Sequence, residues 1–423
     1  MADLSTTPPL TRASVVAAHE LVRPHVHRTP VLTNRTLSEL ASTPRSAEEL
    51  KGGARWEGRE PARPRLRLWF KCENLQRAGA FKVRGAFHAV ERLRMEPGWL
   101  EGGGMERGVA THSSGNHAQA LSLAARETGM PAHIVMPSIS PALKVDATRG
   151  YGARVVFSGS TAAEREAVAD RVVRETGARL VPPYDHPDIM LGQGTLGLEF
   201  QEQVRGILAA GGEDGMRAPS TADDVVFGGS GGGSGGGSKP GDAGVREGKG
   251  LDAIIAPCGG GGMLSGVALS CEGTGTRVYA AEPSFQGADD AKRGHESGAR
   301  VPAVSTLTVA DGLRTPVGLH PWRVIHERGL VAGFYSVAEE EILAAMRLVF
   351  ERFKMVVEPS GCVALAVALF DEDFRAMVER EAGPQGWDLG IVFSGGNVGV
   401  ETVAKLFGPD ASTATTTAAA TKD

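Results

Sequence analysis

The sequence predicts an α/β protein in which parallel β-sheets carry helices on both faces. Short runs rich in β-branched residues alternate with longer segments of helical periodicity, and glycine-containing loops directly follow several of the runs. The predicted buried strands span residues 108–112, 133–136, 154–157, 253–257, 278–281 and 391–395. Because this alternation produces parallel sheets, we expect ligands at the carboxyl ends of these strands.

Helical periodicity is clearest in the segments 118–128, 163–176 and 337–354. In the last of these, apolar side chains recur at helical spacing and share one face, namely Ile342, Ala345, Met346, Val349, Phe350 and Phe353. We therefore predict that this helix packs the apolar face against the core.

Length and composition fit a two-domain enzyme. The chain has 423 residues, of which 41% are apolar, and its net charge is only -5 without a basic run, which argues against nucleic-acid binding. No apolar run approaches the length of a membrane span, about 18 residues, and the first residues lack a signal-peptide pattern. The 4 cysteines are scattered and form no CxxC pair, which suits a reducing compartment. We therefore expect a cytoplasmic protein without a membrane span.

One group of glycines lies in a low-complexity segment, FGGSGGGSGGGSKPGDAG at 227–244. This composition predicts a flexible coil, so we expect 209–250 to be a disordered insertion, either a natural surface loop or an engineered linker. The stretch 42–64 is predicted to be irregular, and the tail 409–423 to be disordered. The rest of the chain forms the predicted folded body.

A second group of glycines follows the predicted strand 253–257. There the chain reads Cys258, four consecutive glycines and Met263, and then enters an apolar helical segment. The N–H groups of such a loop, together with a helix N-terminus, form a cradle for an anion such as phosphate. The loop lacks the GKS or GKT ending of an ATP-binding loop and the GxGxxG pattern of a dinucleotide fold. Tight packing of the strand against the helix is the alternative explanation.

Two further loops also follow predicted strands. The segment SSGNHAQ at 113–119 brings hydroxyls, an amide and free N–H groups to the start of a helix, which is typical of a carboxylate site. Plain N-capping by Ser or Asn explains the same residues, and His117 by position alone is structural. The loop SGGN at 394–397 has the same two explanations.

Lys82 lies among small and apolar neighbours in AGAFKVRGA at 78–86, although a surface position is the default for a single lysine. Burial would lower its pKa and favour the neutral amine, which forms Schiff bases with carbonyl compounds. A lysine of this kind, a phosphate cradle and a carboxylate cradle together describe a site for an amino acid bound to pyridoxal phosphate.

A series of motifs occurs in the order seen in fold-type II pyridoxal-phosphate enzymes: AFKVRGA, THSSGNHAQA, PCGGGGMLSG, AEPS, ADG, EPSG and SGGNV. Over residues 12–205 and 251–405 the chain resembles the serine racemase and serine/threonine dehydratase family. The resemblance implies a two-domain fold of the tryptophan synthase β type. Its large cofactor-binding domain would comprise 1–105 and 187–408, and its small mobile domain 106–186.

The same resemblance implies an activity. The enzyme would interconvert L- and D-serine and would also eliminate water and ammonia from serine or threonine to give pyruvate or 2-oxobutanoate. One alternative is a threonine or 3-hydroxyaspartate dehydratase that does not racemise. Another is a catalytically silent cofactor-binding protein, against which the intact Lys82 argues.

Individual roles follow from the resemblance residue by residue. Lys82 would bind the cofactor covalently and act as the base on one face, and Ser114 would be the second acid/base group, opposite the lysine. The cofactor would be held by Phe81, Lys82, Asn116, Gly259, Gly260, Gly261, Gly262, Met263, Gly312 and Ser394. The substrate would be bound by Ser113, Ser114, Gly115, Asn116, His117 and, on closure, Arg165.

Two serines bear on the choice of reaction. Ser394 would face the pyridine nitrogen, and because a hydroxyl stabilises a protonated ring less than a carboxylate does, elimination or quick reprotonation is favoured over transamination. Many simple threonine dehydratases have alanine at the position of Ser114, so this serine favours racemisation. Its alternative role is that of a carboxylate ligand or N-cap.

The segment 282–290 resembles the family's divalent-cation site. The resemblance implies that Mg²⁺ or Ca²⁺ is bound by Glu282, the main-chain oxygen of Ala288 and Asp290, all of them oxygen ligands that suit hard cations. The spacing from Glu282 to Asp290 is longer than in close racemases, so an ordinary acidic loop is the alternative.

The segment TPVLTNRT at 29–36 resembles the family's dimer interface, where racemases bind ATP. It implies a homodimer with ATP as a candidate effector. Asn34 and Arg35 stand where the mammalian enzymes have serines, and Arg77 and Ala78 stand where they have lysine and threonine. These differences leave the ATP effect open.

Overall fold

A computed structural model describes residues 4–51, 55–113, 115–210 and 250–408. Its strands are β1 (Val31–Thr33), β2 (Leu66–Cys72), β3 (Val109–His112), β4 (Ala132–Pro137), β5 (Arg154–Ser158), β6 (Arg179–Leu180), β7 (Ala253–Pro257), β8 (Arg277–Pro283), β9 (Gly333–Val337) and β10 (Trp387–Phe393). They form a six-stranded sheet in the order β1-β2-β10-β7-β8-β9 and a four-stranded sheet in the order β5-β4-β3-β6. β1 pairs antiparallel with β2, and the remaining pairs are parallel.

Helices connect these strands and cover both sheets. They are α1 (Arg12–Val22), α2 (Arg35–Ser42), α3 (Ala47–Lys51), α4 (Lys82–Arg94), α5 (Gly104–Arg107), α6 (Asn116–Glu127), α7 (Ala142–Gly150), α8 (Ala162–Thr176), α9 (Pro187–Ala209), α10 (Gly262–Cys271), α11 (Asp290–Ser297), α12 (Leu319–Trp322), α13 (Glu339–Leu348), α14 (Pro359–Phe370), α15 (Glu372–Ala382) and α16 (Val400–Phe407). Two π-helical turns, Arg323–Glu327 and Val349–Phe353, extend α12 and α13.

Both faces of the six-stranded sheet are buried. Ile254 and Ile255 are adjacent on β7, so their side chains point to opposite faces, and each belongs to a separate apolar cluster. Ile255 packs with α13 and α14 on one face, whereas Ile254 packs with α1, α9 and α10 on the other. Burial on both faces explains why β7 is an uninterrupted apolar run.

The four-stranded sheet has its own apolar cluster, which joins β3 and β4 to α4 and α6. Val83 and Phe87 of α4, Leu121 of α6 and Ile134 of β4 are fully buried in it. On the other face, α8 buries Ala169 and Val172 against Val135. The strands of this sheet lie between residues 109 and 180, and the division of the chain into two domains stays a prediction.

The predicted α/β class with parallel sheets is confirmed, but several boundaries are wrong. The strand predicted at 391–395 ends at Phe393, and the helix predicted at 337–354 begins only at Glu339, because Val337 closes β9. The sequence analysis did not predict strands β1, β2, β6 and β9. β2 follows a stretch rich in Arg and Pro, and it contains Lys71, whose burial depends on a distant ion-pair partner.

The stretch 42–64, predicted to be irregular, contains α3 and is partly packed on the body. Trp56 is 4% exposed, and the guanidinium of Arg55 lies over its ring while binding Asp371. The predicted insertion 209–250 falls almost wholly outside the described residues, and the tail 409–423 lies outside them entirely.

Within the described ranges, no helix is both long and apolar enough to cross a bilayer. Each of the four cysteines is a buried free thiol. The cytoplasmic location stays a prediction.

Candidate active site

The loops that follow β2, β7 and β10 lie at the carboxyl ends of parallel strands of the six-stranded sheet. The loop that follows β3 of the four-stranded sheet meets them there through Asn116, which is hydrogen-bonded to Asn397. The lysine segment is fixed there by its backbone: Phe81 N donates to Ser394 O at 3.1 Å, and Gly396 N donates to Gly79 O at 2.9 Å. Ala80 and Gly395 form an isolated antiparallel bridge. The loop that precedes Lys82 is therefore a short extension of the sheet rather than a free surface turn.

Lys82 is the first residue of α4 and is half-buried. Its Nζ donates to the carbonyl oxygen of Pro183 at 2.7 Å and lies 5.0 Å from the centre of the Phe81 ring. Burial lowers the pKa of Lys82 to about 8, so the neutral amine is populated near neutral pH. The structure therefore supports a reactive amine instead of an ordinary surface lysine.

A buried ion cluster holds α4 in place just behind the lysine. Arg84 is fully buried and binds both Glu73, which follows β2, and Glu199 of α9, with N–O distances of 2.8 Å. Lys71 of β2 binds the same Glu199 at 2.9 Å. Since buried charges are costly unless paired, this cluster fixes α4 relative to β2 and α9.

The glycine loop between β7 and α10 is shaped by close contacts. A Cβ on Gly259 would lie 2.9 Å from Leu313 Cα, and one on Gly260 would lie 2.3 Å from the Tyr184 ring. Gly261 adopts a φ of +80°, which disfavours residues with a side chain. In the part of the chain that is described, the N–H groups of the glycines 259–262 and of Met263 donate to no acceptor. The loop thus offers donors without acceptors, as an anion cradle requires.

Three helices begin at this edge without a side-chain cap. The N-cap residues Phe81 of α4, Gly115 of α6 and Gly261 of α10 form no capping hydrogen bond. Because a helix N-terminus carries a partial positive charge, these three ends favour anionic groups. For the loop at 113–119, plain N-capping remains the alternative, because Ser114 lies outside the described residues.

Hydrogen bonds between two amides and a carboxyl group link the loop at 113–119 to the loop after β10. Asn116 Nδ2 donates to Glu358 Oε1 at 2.8 Å, and Asn397 Nδ2 donates to Asn116 Oδ1 at 2.9 Å. Burial, together with repulsion from Asp311, raises the pKa of Glu358 to about 7. Ser394, the first residue after β10, is also buried. The network fixes the side chain of Asn116 at the edge where Lys82 begins α4.

The remaining cofactor-binding predictions fall at the same edge. Gly312 donates its N–H to Ser360 Oγ at 3.0 Å, and its carbonyl oxygen lies 3.2 Å from where a Cβ on Gly259 would stand. Met263 is buried in the first turn of α10. The structure brings both residues next to the glycine loop.

The loop predicted to bind the substrate, residues 113–117, is described except for Ser114. Ser113 extends β3 by donating its N–H to Val135 O at 3.1 Å, and its Oγ lies 3.4 Å from Gly115 N. His117 is buried with its Nε2 3.1 Å from Val181 O, and burial, with the nearby charge of Lys82, lowers its pKa to about 3. His117 is therefore a neutral side chain close to the lysine. Burial, and after it the charge of Arg165 on α8, lowers the pKa of His112.

The predicted metal residues lie beyond β8. Glu282 is fully buried, and its carboxylate accepts the N–H groups of Ala291 and Lys292 at 2.9 and 2.8 Å. Asp290 accepts from Val317 N at 2.9 Å, while its second oxygen is buried without a partner among the described residues. Burial and the charge of Asp290 raise the pKa of Glu282. Ala288 is buried beside them.

The residues considered for ATP binding form hydrogen bonds and ion pairs within this chain. Asn34 is fully buried, and its Oδ1 caps α2 by accepting from Leu37 N at 2.9 Å. Arg35 binds Glu39, and Arg77 binds Glu127 and the carbonyl oxygen of His25. Asn34, Arg35 and Arg77 are thus already bonded to other described residues of this chain.

Sequence reasoning missed three residues of this site: Tyr184, Gln193 and Glu358. The Tyr184 ring lies against Gly260, Tyr184 Cα and Cβ lie against Gly262, and Glu358 binds Asn116. Glu358 stood in the EPSG motif, which could have identified it. Tyr184 and Gln193 carried no local signal because their positions depend on how the strand and helix before the insertion fold back on the glycine loop.

These residues fit pyridoxal phosphate. The N–H groups of the glycine loop, which have no acceptor among the described residues, suit the phosphate, and the amine of Lys82 suits the aldehyde. A Cβ on Gly259 or Gly260 would clash with Leu313 or Tyr184, so the loop can follow this path only with glycine at both positions.

Comparison with known proteins indicates the same cofactor. The family model for "Pyridoxal-phosphate dependent enzyme" matches residues 57–238 and 245–383. A serine racemase from Arabidopsis thaliana is 37% identical over 91% of this chain and 92% of its own length. A beta-hydroxyaspartate dehydratase from Paracoccus denitrificans is 34% identical over 92% of this chain and 97% of its own length.

A solved structure of maize serine racemase superimposes with a TM-score of 0.71 at 33% identity and covers 96% of this chain and 99% of its own. The family resemblance of the motifs is thereby confirmed over most of the sequence. The chain belongs to the pyridoxal-phosphate dependent enzymes.

Proposed function

We propose that this enzyme is a serine racemase that also acts as a serine/threonine dehydratase. The observation that carries the proposal is Lys82, a half-buried amine of lowered pKa placed beside three uncapped helix ends and a glycine loop with unused N–H donors. The names of the similar proteins, serine racemases among them, support serine as the substrate.

Bound pyridoxal phosphate supplies an electrophilic carbon for the amino group and withdraws electrons from the bonds at the substrate Cα. The chain supplies the rest. The neutral amine of Lys82 can take the Cα proton on its own face and return it there. Ser114, which lies outside the described residues, is the proposed donor and acceptor on the opposite face. Two such groups are what inversion at Cα requires.

The choice of reaction rests on groups around the ring. Phe81 would lie against one face, Asn116 would hydrogen-bond the phenolic oxygen and Ser394 would face the pyridine nitrogen. The Asn116 side chain is already oriented by Glu358 and Asn397. Because a hydroxyl, that of Ser394, and no carboxylate is proposed at the ring nitrogen, the cofactor would withdraw electrons from Cα less strongly, which would favour proton return or loss of the β-hydroxyl.

The substrate carboxylate is proposed to bind at the N-terminus of α6, through Ser113, Ser114, Gly115, Asn116 and His117. The helix end attracts the negative charge without any side-chain cap to displace. Arg165 would join as the proposed small domain, residues 106–186, closes over the site and excludes water. This closure protects the intermediate stages from hydrolysis.

A divalent cation and a second subunit complete the proposal. Two carboxyl groups, Glu282 and Asp290, are buried close enough to repel each other, and one oxygen of Asp290 has no partner among the residues that the structure describes. Mg²⁺ or Ca²⁺ bound there with the Ala288 carbonyl would remove the repulsion. The homodimer, and ATP as its effector at the segment 29–36, are proposed from resemblance alone.

A dehydratase of 3-hydroxyaspartate or threonine is the second candidate, favoured by the similar dehydratase from Paracoccus denitrificans. The two candidates are separated by incubating the purified holoenzyme with L-serine, D-serine, L-threonine and 3-hydroxyaspartate. Keto acid and the enantiomer of each substrate are then measured. We expect both D-serine and pyruvate from L-serine. Keto acid without any D-serine would establish the dehydratase instead.

A further inference from the structure

Residues 181–186, here called the connector, join the four-stranded sheet to α9 and pass beside the cofactor site. The carbonyl oxygen of Pro183 accepts from Lys82 Nζ at 2.7 Å. The ring of the next residue, Tyr184, lies so close to the glycine loop that a Cβ on Gly260 would be 2.3 Å from it. The connector is therefore in contact both with the lysine and with the glycine loop.

Asp185, the following residue of the connector, caps α12. The N-cap residue of this helix is Gly318, which has no side chain to accept from the first N–H groups. Asp185 accepts from both of them instead: Oδ2 from Leu319 N and Oδ1 from His320 N, each at 2.9 Å. A Cβ on Gly318 would lie 2.5 Å from Asp185 Cγ. The carboxylate can therefore approach this closely only because residue 318 is glycine.

α12 in turn determines where the glycine loop runs. Gly318 N donates to Gly260 O at 3.1 Å. A Cβ on Gly261 would lie 2.8 Å from Pro321 Cβ and 3.1 Å from Ile325 Cδ1, so α12 and the π-helical turn after it are in close contact with the loop. Because closely packed elements move together, a shift of α12 would displace the N–H groups that form the proposed phosphate cradle.

We propose that Asp185 is a positioning residue of the phosphate site: it ties α12 to the connector and, through the hydrogen bond from Gly318 to Gly260, fixes the path of the glycine loop. It acts through these residues and not by contact with the cofactor. Without its carboxylate, the start of α12 would have to be ordered when the cofactor binds, and this cost would lower the affinity. The inference rests on the cofactor site that the proposed function requires, and it is independent of which amino acid the enzyme converts.

The test compares pyridoxal phosphate with pyridoxal, which carries the same aldehyde but no phosphate. Asp185→Ala removes the cap, Asp185→Asn keeps one acceptor oxygen, and Gly318→Ala places a Cβ where the carboxylate lies. Asp371→Ala is the matched control, because Asp371 caps another helix, α15, by accepting from Phe374 N at 3.0 Å. The affinity of the full-length chain for each compound is measured by absorbance titration, and the melting temperature is recorded.

We expect Asp185→Ala to weaken the affinity for pyridoxal phosphate by about 2- to 30-fold, the value of a helix N-cap, and to leave the affinity for pyridoxal unchanged. Asp185→Asn should recover most of this loss, because asparagine caps about as well as aspartate. Gly318→Ala should weaken the same affinity, and the two alanine variants combined should lose less than the product of their single losses, because both break one contact. Asp371→Ala should lower the melting temperature and leave both affinities unchanged.

Three results would overturn the inference. In the first, Asp185→Ala melts at a lower temperature but binds pyridoxal phosphate as the wild type does, which indicates a purely structural cap. In the second, the affinities for pyridoxal phosphate and pyridoxal fall equally, so the effect does not pass through the phosphate site. In the third, Asp371→Ala loses as much affinity. If Asp185→Ala does not fold, Asp185→Asn and Gly318→Ala decide by the same comparison. A wild-type protein that fails to bind the cofactor at all would contradict the proposed function instead.

Discussion

The two sides of the active site are built differently. On the cofactor side, α9 and α10 pack so closely that a Cβ on Gly266 would lie 2.3 Å from Met190 O, and Tyr184 covers the glycine loop. On the substrate side, α8 buries only Ala169 and Val172 among its described side chains, and Phe157 on the edge strand β5 is 46% exposed.

This difference separates binding of the cofactor from binding of the substrate. A region with backbones in contact has little freedom to rearrange, whereas a layer held by a small apolar cluster opens at a lower free-energy cost. We therefore expect the proposed phosphate cradle to be preformed and the proposed carboxylate site to close when the substrate arrives. Variants on the two sides should accordingly affect different measured quantities.

The largest effect is expected for Lys82→Ala. Elimination and racemisation should both fall to background, because the covalent attachment point and one acid/base group are lost together. Activity is followed as keto acid and D-serine formation. Lys71→Ala is the control: Lys71 is fully buried and paired with Glu199, so this variant should lose stability but keep the covalent cofactor signal. Turnover near the wild-type level in Lys82→Ala would refute the role of this lysine.

Gly260→Ala tests the preformed cradle. The new Cβ would lie 2.3 Å from the Tyr184 ring, and overpacking of this kind typically costs about 1–3 kcal/mol. We expect cofactor affinity to fall by about 5- to 150-fold, measured by absorbance titration, with partial recovery when Tyr184→Ala is added.

Gly206→Ala, on α9 where a Cβ meets open space, is the matched control and should bind normally. Unchanged affinity in Gly260→Ala would show that the loop adapts and that the cradle is not preformed.

Arg165→Ala tests the other side. If Arg165 binds the substrate carboxylate on closure, KM should rise by about 10- to 100-fold, the value of a charge-assisted hydrogen bond, while cofactor affinity stays constant. Steady-state kinetics with L-serine and the same absorbance titration measure the two quantities. Arg171→Ala, on the same helix and paired only with Glu175 among the described residues, should change neither. A loss of cofactor affinity in Arg165→Ala would contradict the separation of the two sides.

A smaller effect is expected at the metal site. A cation that binds only the folded state adds about 2.7 kcal/mol at a hundredfold excess over its Kd. EDTA should therefore lower the melting temperature of the wild type by a few degrees, and Mg²⁺ or Ca²⁺ should restore it. Glu282→Gln should abolish the response, whereas Asp289→Asn, at a partly exposed carboxylate paired with Arg293, should keep it. If Glu282→Gln still responds like the wild type, the cation is bound elsewhere.

The parts of the site that sequence could predict are those with a local signal. The glycine loop and the loop at 113–119 each follow a strand that the sequence predicted, and such loops lie at the carboxyl ends of parallel strands, where ligands bind. Lys82 was recognised from its small and apolar neighbours. The two loops follow strands of different sheets, so their meeting with Lys82 could not be predicted from the strand pattern. Gln193 and Tyr184 could not be predicted, because their contacts with Gly262 arise only when α9 packs on α10. β2 was missed for a related reason: the burial of Lys71 depends on Glu199, which is far away in the sequence.

The opposite-face role of Ser114 is the central claim, and it separates a racemase from a dehydratase. The direct test measures D-serine and pyruvate formed from L-serine by the wild type and by Ser114→Ala. Ser113→Ala serves as control, because Ser113 lies in the same loop without an assigned proton transfer, so any loss should affect both products alike.

We predict that Ser114→Ala lowers racemisation by about 10²- to 10⁴-fold, the usual contribution of an acid/base group, and largely keeps pyruvate formation from L-serine. Equal loss of both products would make Ser114 a carboxylate ligand, and a wild type that forms no D-serine would contradict the account.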